Sequence, residues 1–168
     1  EIKPYLLAGT QLSNDKPTNT AKIGGEVNFD ITPTFKLNFT ANTDFAQVES
    51  DRKQINLSRF SLYYPEKRQF FLEGKNYYDL DIGSVRLFYS RKIGIDQNSV
   101  VPIIGGARLF GKLNHTNIGV MSLQTYAKDS IPTTNYSIIR VKQDIFKQSS
   151  IGLISTQKYS DKGYNRVY

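Results

Sequence analysis

The chain has 168 residues, enough for one domain with its own core, and its 39 % apolar content with many Phe and Tyr excludes a disordered tail. The net charge of +7 comes from scattered Lys and Arg, which points to solvation or weak steering and away from a nucleic-acid footprint. The absence of cysteine and the single histidine, His115, exclude disulfides, thiolate metal centres and multi-histidine clusters, and no apolar run is long enough for a transmembrane helix.

Apolar residues recur with period two along almost the whole chain, which predicts strands and turns. PYLLAGTQL (4–12) reads as a first strand, and DKPTNT (15–20) as a polar loop. KIGGEVNFDI (22–31) puts Ile23, Val27, Phe29 and Ile31 on one face and Lys22, Glu26, Asn28 and Asp30 on the other. FKLNFTANTDF (35–45) alternates in the same way after a short TPT turn. Setting Ile31 opposite Phe35 pairs Phe29 with Leu37, Val27 with Phe39, Asp30 with Lys36 and Asn28 with Asn38, so like meets like.

QINLSRFSLYY (54–64) and VRLFYSRKI (85–93) read as further strands. PIIGGARLFGKL (102–113) and TNIGVMSLQTYA (116–127) form a hairpin around Asn114 and His115. NYSIIRVKQDI (135–145) and SSIGLISTQKY (149–159) form another, turning near Lys147 and Gln148, and one more strand starts at Gly163. The expected class is all-β, an antiparallel up-and-down meander of about nine to ten strands.

Alternation alone does not say what the apolar face touches. A soluble β-sandwich binding module is one solution. A transmembrane β-barrel is the other, and three features favour it. Several runs exceed the usual sandwich strand, the polar face is rich in Asn, Thr, Ser and Gln, and Tyr5, Phe35, Phe45, Tyr63, Tyr64, Tyr126 and Tyr159 sit near strand ends. The stretch SLYYPEKRQFFLEG (61–74) mixes rings and charges. A loop folded into a barrel lumen would meet charged walls on one side and pack its own rings on the other, with Pro65 ending the strand before it.

TDFAQVESDRKQINLSRFSLYYPEKRQFFLEG (43–74), LFYSRKIG (87–94) and IIGGARLFGK (103–112) closely resemble the DUF5916 proteins of Bacteroidetes-type bacteria. Thr43, Ser50, Gln69 and Lys92 stand where that pattern usually has Pro, Ala, Pro and Arg. The resemblance implies an outer-membrane β-barrel domain that follows a module like carbohydrate-binding family nine, a module this sequence does not contain. It also implies that residues 1–168 are the N-terminal part of a barrel continuing beyond Tyr168. Its expected surroundings are outer-membrane lipid, with a role in transport or surface display linked to glycan uptake.

The candidate binding or constriction residues are Asp44, Glu49, Asp51, Glu66, Lys67, Arg68, Phe70, Phe71, Glu73 and Arg91. Asp44, Glu49 and Asp51 are close enough in sequence to suggest a Ca²⁺ site but lack EF-hand spacing, so pairing with nearby Arg and Lys is the expectation. Glu66 and Glu73 would be the carboxylates of a membrane-associated hydrolase, yet Lys67 and Arg68 favour an ionised Glu66 and hence salt bridging over proton donation. His115 sits in a turn, and no order or context makes it part of a triad with Ser122 or Ser130 and Asp129. No catalytic residue, cofactor or nucleic-acid partner is expected. Arg59, Arg86, Arg91, Arg108 and Arg140 fall in the expected strands and should face a lumen or sit near the membrane interface, paired with acids such as Asp30, Asp44, Glu49 and Glu66.

Overall fold

A computed structural model describes residues 1–13, 16–42, 64–79, 81–82, 85–96, 99–128, 130–147 and 149–168. The alternating runs become long strands: β1 (Ile2–Ser13), β2 (Lys16–Thr32) and β3 (Phe35–Ala41). In the β2–β3 hairpin Val27 faces Phe39, Asn28 faces Asn38, Phe29 faces Leu37 and Asp30 faces Lys36, as the side-chain pattern requires. The expected Ile31–Phe35 pair is replaced by Thr32–Phe35, because a bulge between Asp30 and Thr32 absorbs one residue.

Among the described residues the sheet resumes 62 positions after β3 ends. The excursion contains a short helix α1 (Gln69–Leu72), 3-10 turns at Lys75–Tyr77 and Ser90–Lys92, and four two-residue strands. The latter are β4 (Asp81–Ile82) with β5 (Val85–Arg86), and β6 (Ile95–Asp96) with β7 (Ser99–Val100). The sheet then resumes with β8 (Ile103–Leu113), β9 (Thr116–Thr125), β10 (Thr134–Phe146), β11 (Ser149–Ser160) and β12 (Gly163–Val167). The result is one antiparallel eight-stranded meander in the order β1-β2-β3-β8-β9-β10-β11-β12, and the sheet is not closed.

Two sequence expectations are corrected. Residues 16–20 of the expected polar loop belong to β2, paired with β1 from Lys16 opposite Ser13, because tertiary pairing overrides their polarity. The strand expected over 85–93 is strand only at Val85–Arg86, and Arg91 is the buried residue of a 3-10 turn. The expected strand at 54–64 lies almost wholly outside the described residues.

Because successive side chains alternate, the registers place each strand residue on one of two faces. On one face Phe29, Leu37, Leu109, Val120 and Ile139 form a row across five strands, and Phe35, Gly111, Ile118, Val141 and Leu153 form the next. On the other, Asn28, Asn38, Arg108, Met121, Ile138 and Thr156 share a row, followed by Asp30, Lys36, Phe110, Gly119, Arg140 and Ile154. Burial is inverted relative to a water-soluble sheet. Ile151 and Leu153 on the apolar face are each 63 % exposed, whereas Asn38 and Arg108 on the charged face keep 1 % and 2 %. What covers the charged face is the excursion, called the insert below. Phe70, Phe71, Tyr78 and Ile93 of the insert pack with Ile103, Phe110, Met121, Leu123, Ile138 and Ile154 of the sheet.

Candidate functional site

Among the described residues the insert is fixed to the sheet by a small number of polar contacts, and Arg108 makes more of them than any other residue. Its position in β8, opposite Asn38 in β3 and Met121 in β9, points the guanidinium into the space under α1. Nε donates to Asn38 Oδ1 at 2.9 Å, Nη1 donates to the carbonyls of Phe70 and Glu73, and Nη2 donates to Glu73 Oε2 at 2.5 Å. The same guanidinium lies 4.4 Å from the Phe70 ring centre and 5.1 Å from that of Phe110. A planar fork with five donors suits this task, since it can meet two carbonyls, an amide and a carboxylate at once.

Glu73 is shared, because Lys36 of β3 donates to its other oxygen at 3.1 Å. Burial alone would raise the Glu73 pKa, but Lys36 and Arg108 together outweigh it and hold the carboxyl below its usual range. Gly74, next in sequence, has φ of +70°, and a Cβ there would lie 2.6 Å from the Phe110 ring. Glycine is therefore required twice over, by backbone conformation and by space.

The second half of the insert is tied down at Tyr77–Tyr78. The Tyr78 hydroxyl donates toward the carbonyls of Leu109 and Val120, at 3.2 and 3.3 Å. Arg140 of β10 donates to the carbonyls of Asn76 and Tyr77, at 3.2 and 3.3 Å. Gly119 lies between them, and a Cβ there would sit 2.6 Å from the Tyr77 carbonyl oxygen. Burial pushes the Tyr78 hydroxyl pKa far up, so it remains a donor throughout the neutral range.

Within the insert a second arginine does the same work. Arg68 binds the Glu66 carboxylate with both arms of its fork, at 2.8 and 2.7 Å. It also donates to the carbonyls of Ile93 and Ser90, at 2.6 and 2.8 Å, so residues 64–74 and 87–94 become one body. Its guanidinium lies 4.1 Å from the Phe71 ring centre. Glu66 also accepts from the Ser90 hydroxyl at 2.7 Å and from the backbone N–H groups of Lys67 and Arg68. Burial would raise its pKa, but the bonds and charge of Arg68, with Ser90, hold it below the usual range. Tyr89 completes the link by exchanging hydrogen bonds with the backbone of Tyr64.

A family model described as a domain of unknown function (DUF5916) matches residues 1–102, which take in β1 to β3 and the whole insert. The chain belongs to the DUF5916 family. No curated protein and no solved structure matches it.

In this DUF5916 chain the expected site residues divide into groups. Glu66, Arg68, Phe70, Phe71, Glu73 and Arg91 come together in the insert. Lys67 follows Glu66 and bonds it through its backbone N–H. Leu72, between them and Glu73, is exposed, whereas Phe70 and Phe71 are buried. The expected partners are also corrected. Glu66 is satisfied inside the insert, and among the described residues the insert acid that meets strand cations is Glu73. Asp44, Glu49 and Asp51 lie outside the described residues, and no group of acids and histidines suited to a metal is present among the described ones. His115 is in the β8–β9 turn, while Ser122 is engaged with Ser137 and Asn135 on the apolar face.

The anchors absent from the candidate list are Lys36, Asn38, Tyr78, Ser90, Arg108, Gly119 and Arg140. One sequence signal did exist for Arg108 and Lys36: both are charges at positions where strand periodicity demands the same face as Asn38.

Proposed function

We propose that this chain is part of an outer-membrane β-barrel in which the insert lies against the inner wall and narrows a path for small polar solutes. The observation that carries the reading is the inverted sheet. A water-soluble sandwich would bury the face of Phe29, Leu109, Ile139 and Leu153, and among the described residues nothing covers it. A lipid-facing wall requires this arrangement, with apolar side chains outward and charges inward.

Three further features agree. β1, β2, β8, β9, β10 and β11 have 12, 17, 11, 10, 13 and 12 residues, long enough to cross a bilayer at a tilt. Among the described side chains, the strand charges Lys3, Lys22, Glu26, Asp30, Lys36, Arg108, Lys112, Arg140, Lys142, Asp144 and Lys158 share the inner face. Arg166, on the short edge strand β12, is on the other. At one end of the apolar face Ser122, Gln124, Asn135 and Ser137 bond to one another, and Tyr126, Tyr159 and Tyr164 are exposed nearby in sequence and register. That pattern suits the headgroup level, where rings with a polar tip are favoured.

The insert begins and ends at the sheet end that carries the two long connections, 42–102 and 126–133, together with two-residue links at 14–15 and 161–162, whereas every connection at the opposite end is two residues long, at 33–34, 114–115 and 147–148. In outer-membrane barrels the longer loops are the extracellular ones, so the insert would enter from outside. The test is refolding with and without detergent micelles, followed by gel mobility of heated and unheated samples. A β-rich, heat-modifiable species that forms only with detergent supports the reading. A monodisperse β protein in plain buffer would overturn it.

A further inference from the structure

We infer that the inner wall beside the insert is a surface for small anions, a conclusion that rests on the membrane reading and adds the sign of the solute to it. Among the described residues the cations there outnumber the acids that neutralise them. Asp144 is shared by Lys112 at 3.3 Å and Lys142 at 3.9 Å. Glu73 is shared by Lys36 and Arg108. Arg140 is held by neutral carbonyl oxygens, and Asp79, which acts on it through space, is already paired with Lys75 at 3.3 Å. Among the described residues Lys158 faces the Tyr136 ring, 5.6 Å from its centre, rather than a carboxylate. Glu26 and Asp30 add negative charge on the β2 side, Glu26 within the field of Arg108 and Lys3, yet the strand cations remain in excess.

The sequence of 43–63 does not alter that sign, since Asp44, Glu49 and Asp51 are matched by Arg52, Lys53 and Arg59. The geometry also leaves some of this charge open. The insert covers the wall around Arg108 and Gly119, whereas the Lys112 and Lys142 side chains keep 44 % and 40 % of their surface. The registers align Lys112, Asn117, Lys142 and Gly152 across four strands, so the two lysines flank a short polar residue at the edge of the covered area. Lysines spread along a wall behave as exchangeable point charges, which hold an anion without trapping it.

The test uses the full-length protein refolded in detergent and inserted in planar bilayers, with reversal potentials read under a potassium chloride gradient. Chloride should be preferred over potassium by about threefold or more at low salt, and less at high salt. The Lys112→Gln/Lys142→Gln pair should lower that preference, and Lys112→Glu/Lys142→Glu should reverse it. Cation-selective currents, or a selectivity indifferent to both pairs, would overturn the inference and leave the membrane reading intact. If micelle-borne protein carries no current, citrate titration by calorimetry decides. Saturable binding weakened at least about fivefold by the Gln pair supports an anion surface on a wall that does not conduct. No binding overturns it.

Discussion

Arg108 and Glu73 meet at 2.5 Å where the insert touches the sheet, with the guanidinium buried and the carboxylate one-third exposed. The pair is separated by 35 positions in sequence and joins an element with little regular structure to a strand at the centre of the meander. A short helix of four residues has no stability of its own, so its place depends on such contacts.

Arg108→Met should therefore cost about 3 kcal/mol, because it strands Glu73, Asn38 and two carbonyls without their donor. Arg108→Lys should recover only part of the loss, since a point charge cannot reproduce the fork. Urea unfolding in micelles gives the cost. Faster protease cleavage within 64–79 would show that the insert has come away while the sheet persists.

The Glu66–Arg68 pair predicts an acid limit for the insert. The folded-state pKa of Glu66 lies below its unfolded value. Its stabilising contribution is thus complete above the unfolded value of about 4.3 and is lost as pH falls through the depressed one. Hydrogen exchange at Ile93 and Leu72 should accelerate below about pH 4 in the native chain. Glu66→Gln should be less stable at neutral pH and should lose that pH dependence.

Gly119 tests whether the insert needs to approach the sheet backbone. Gly119→Val places carbon against the Tyr77 carbonyl and the Tyr78 ring, and should destabilise by about 1–3 kcal/mol. Gly152→Val, on the same inner face but with its nearest atom 3.5 Å from the new Cβ, should be close to neutral. Equal effects from the two would remove the case for close packing at Gly119.

Leu153→Arg separates lipid from water as the neighbour of the apolar face. In a bilayer it should cost about 2–4 kcal/mol and slow insertion into vesicles, while Thr156→Arg, on the inner face, should be mild. If the face meets water instead, Leu153→Arg should be neutral or improve solubility.

Most of the sheet was legible because its signals are local. Strand periodicity with like-to-like pairing located β2 and β3 and their register to within one bulge, and turns at Asn114–His115 and near Lys147 followed from the breaks in alternation. The 3-10 turn at Ser90–Lys92 was not legible, because the aromatic run Leu87–Tyr89 before it favours a strand. Arg68 captures the carbonyls of Ser90 and Ile93 and holds the segment within the insert instead.

The sequence by itself thus determined an all-β meander, the two chemically opposite faces of its strands, and the place where rings and charges concentrate, since each depends on neighbours along the chain or across one hairpin. The tertiary structure alone decided which face the insert covers and which acid meets which base. Glu66 closes on Arg68 two residues away, while Glu73 reaches Lys36 and Arg108. Those choices depend on the distances between elements far apart in sequence, and alternation carries no information about them.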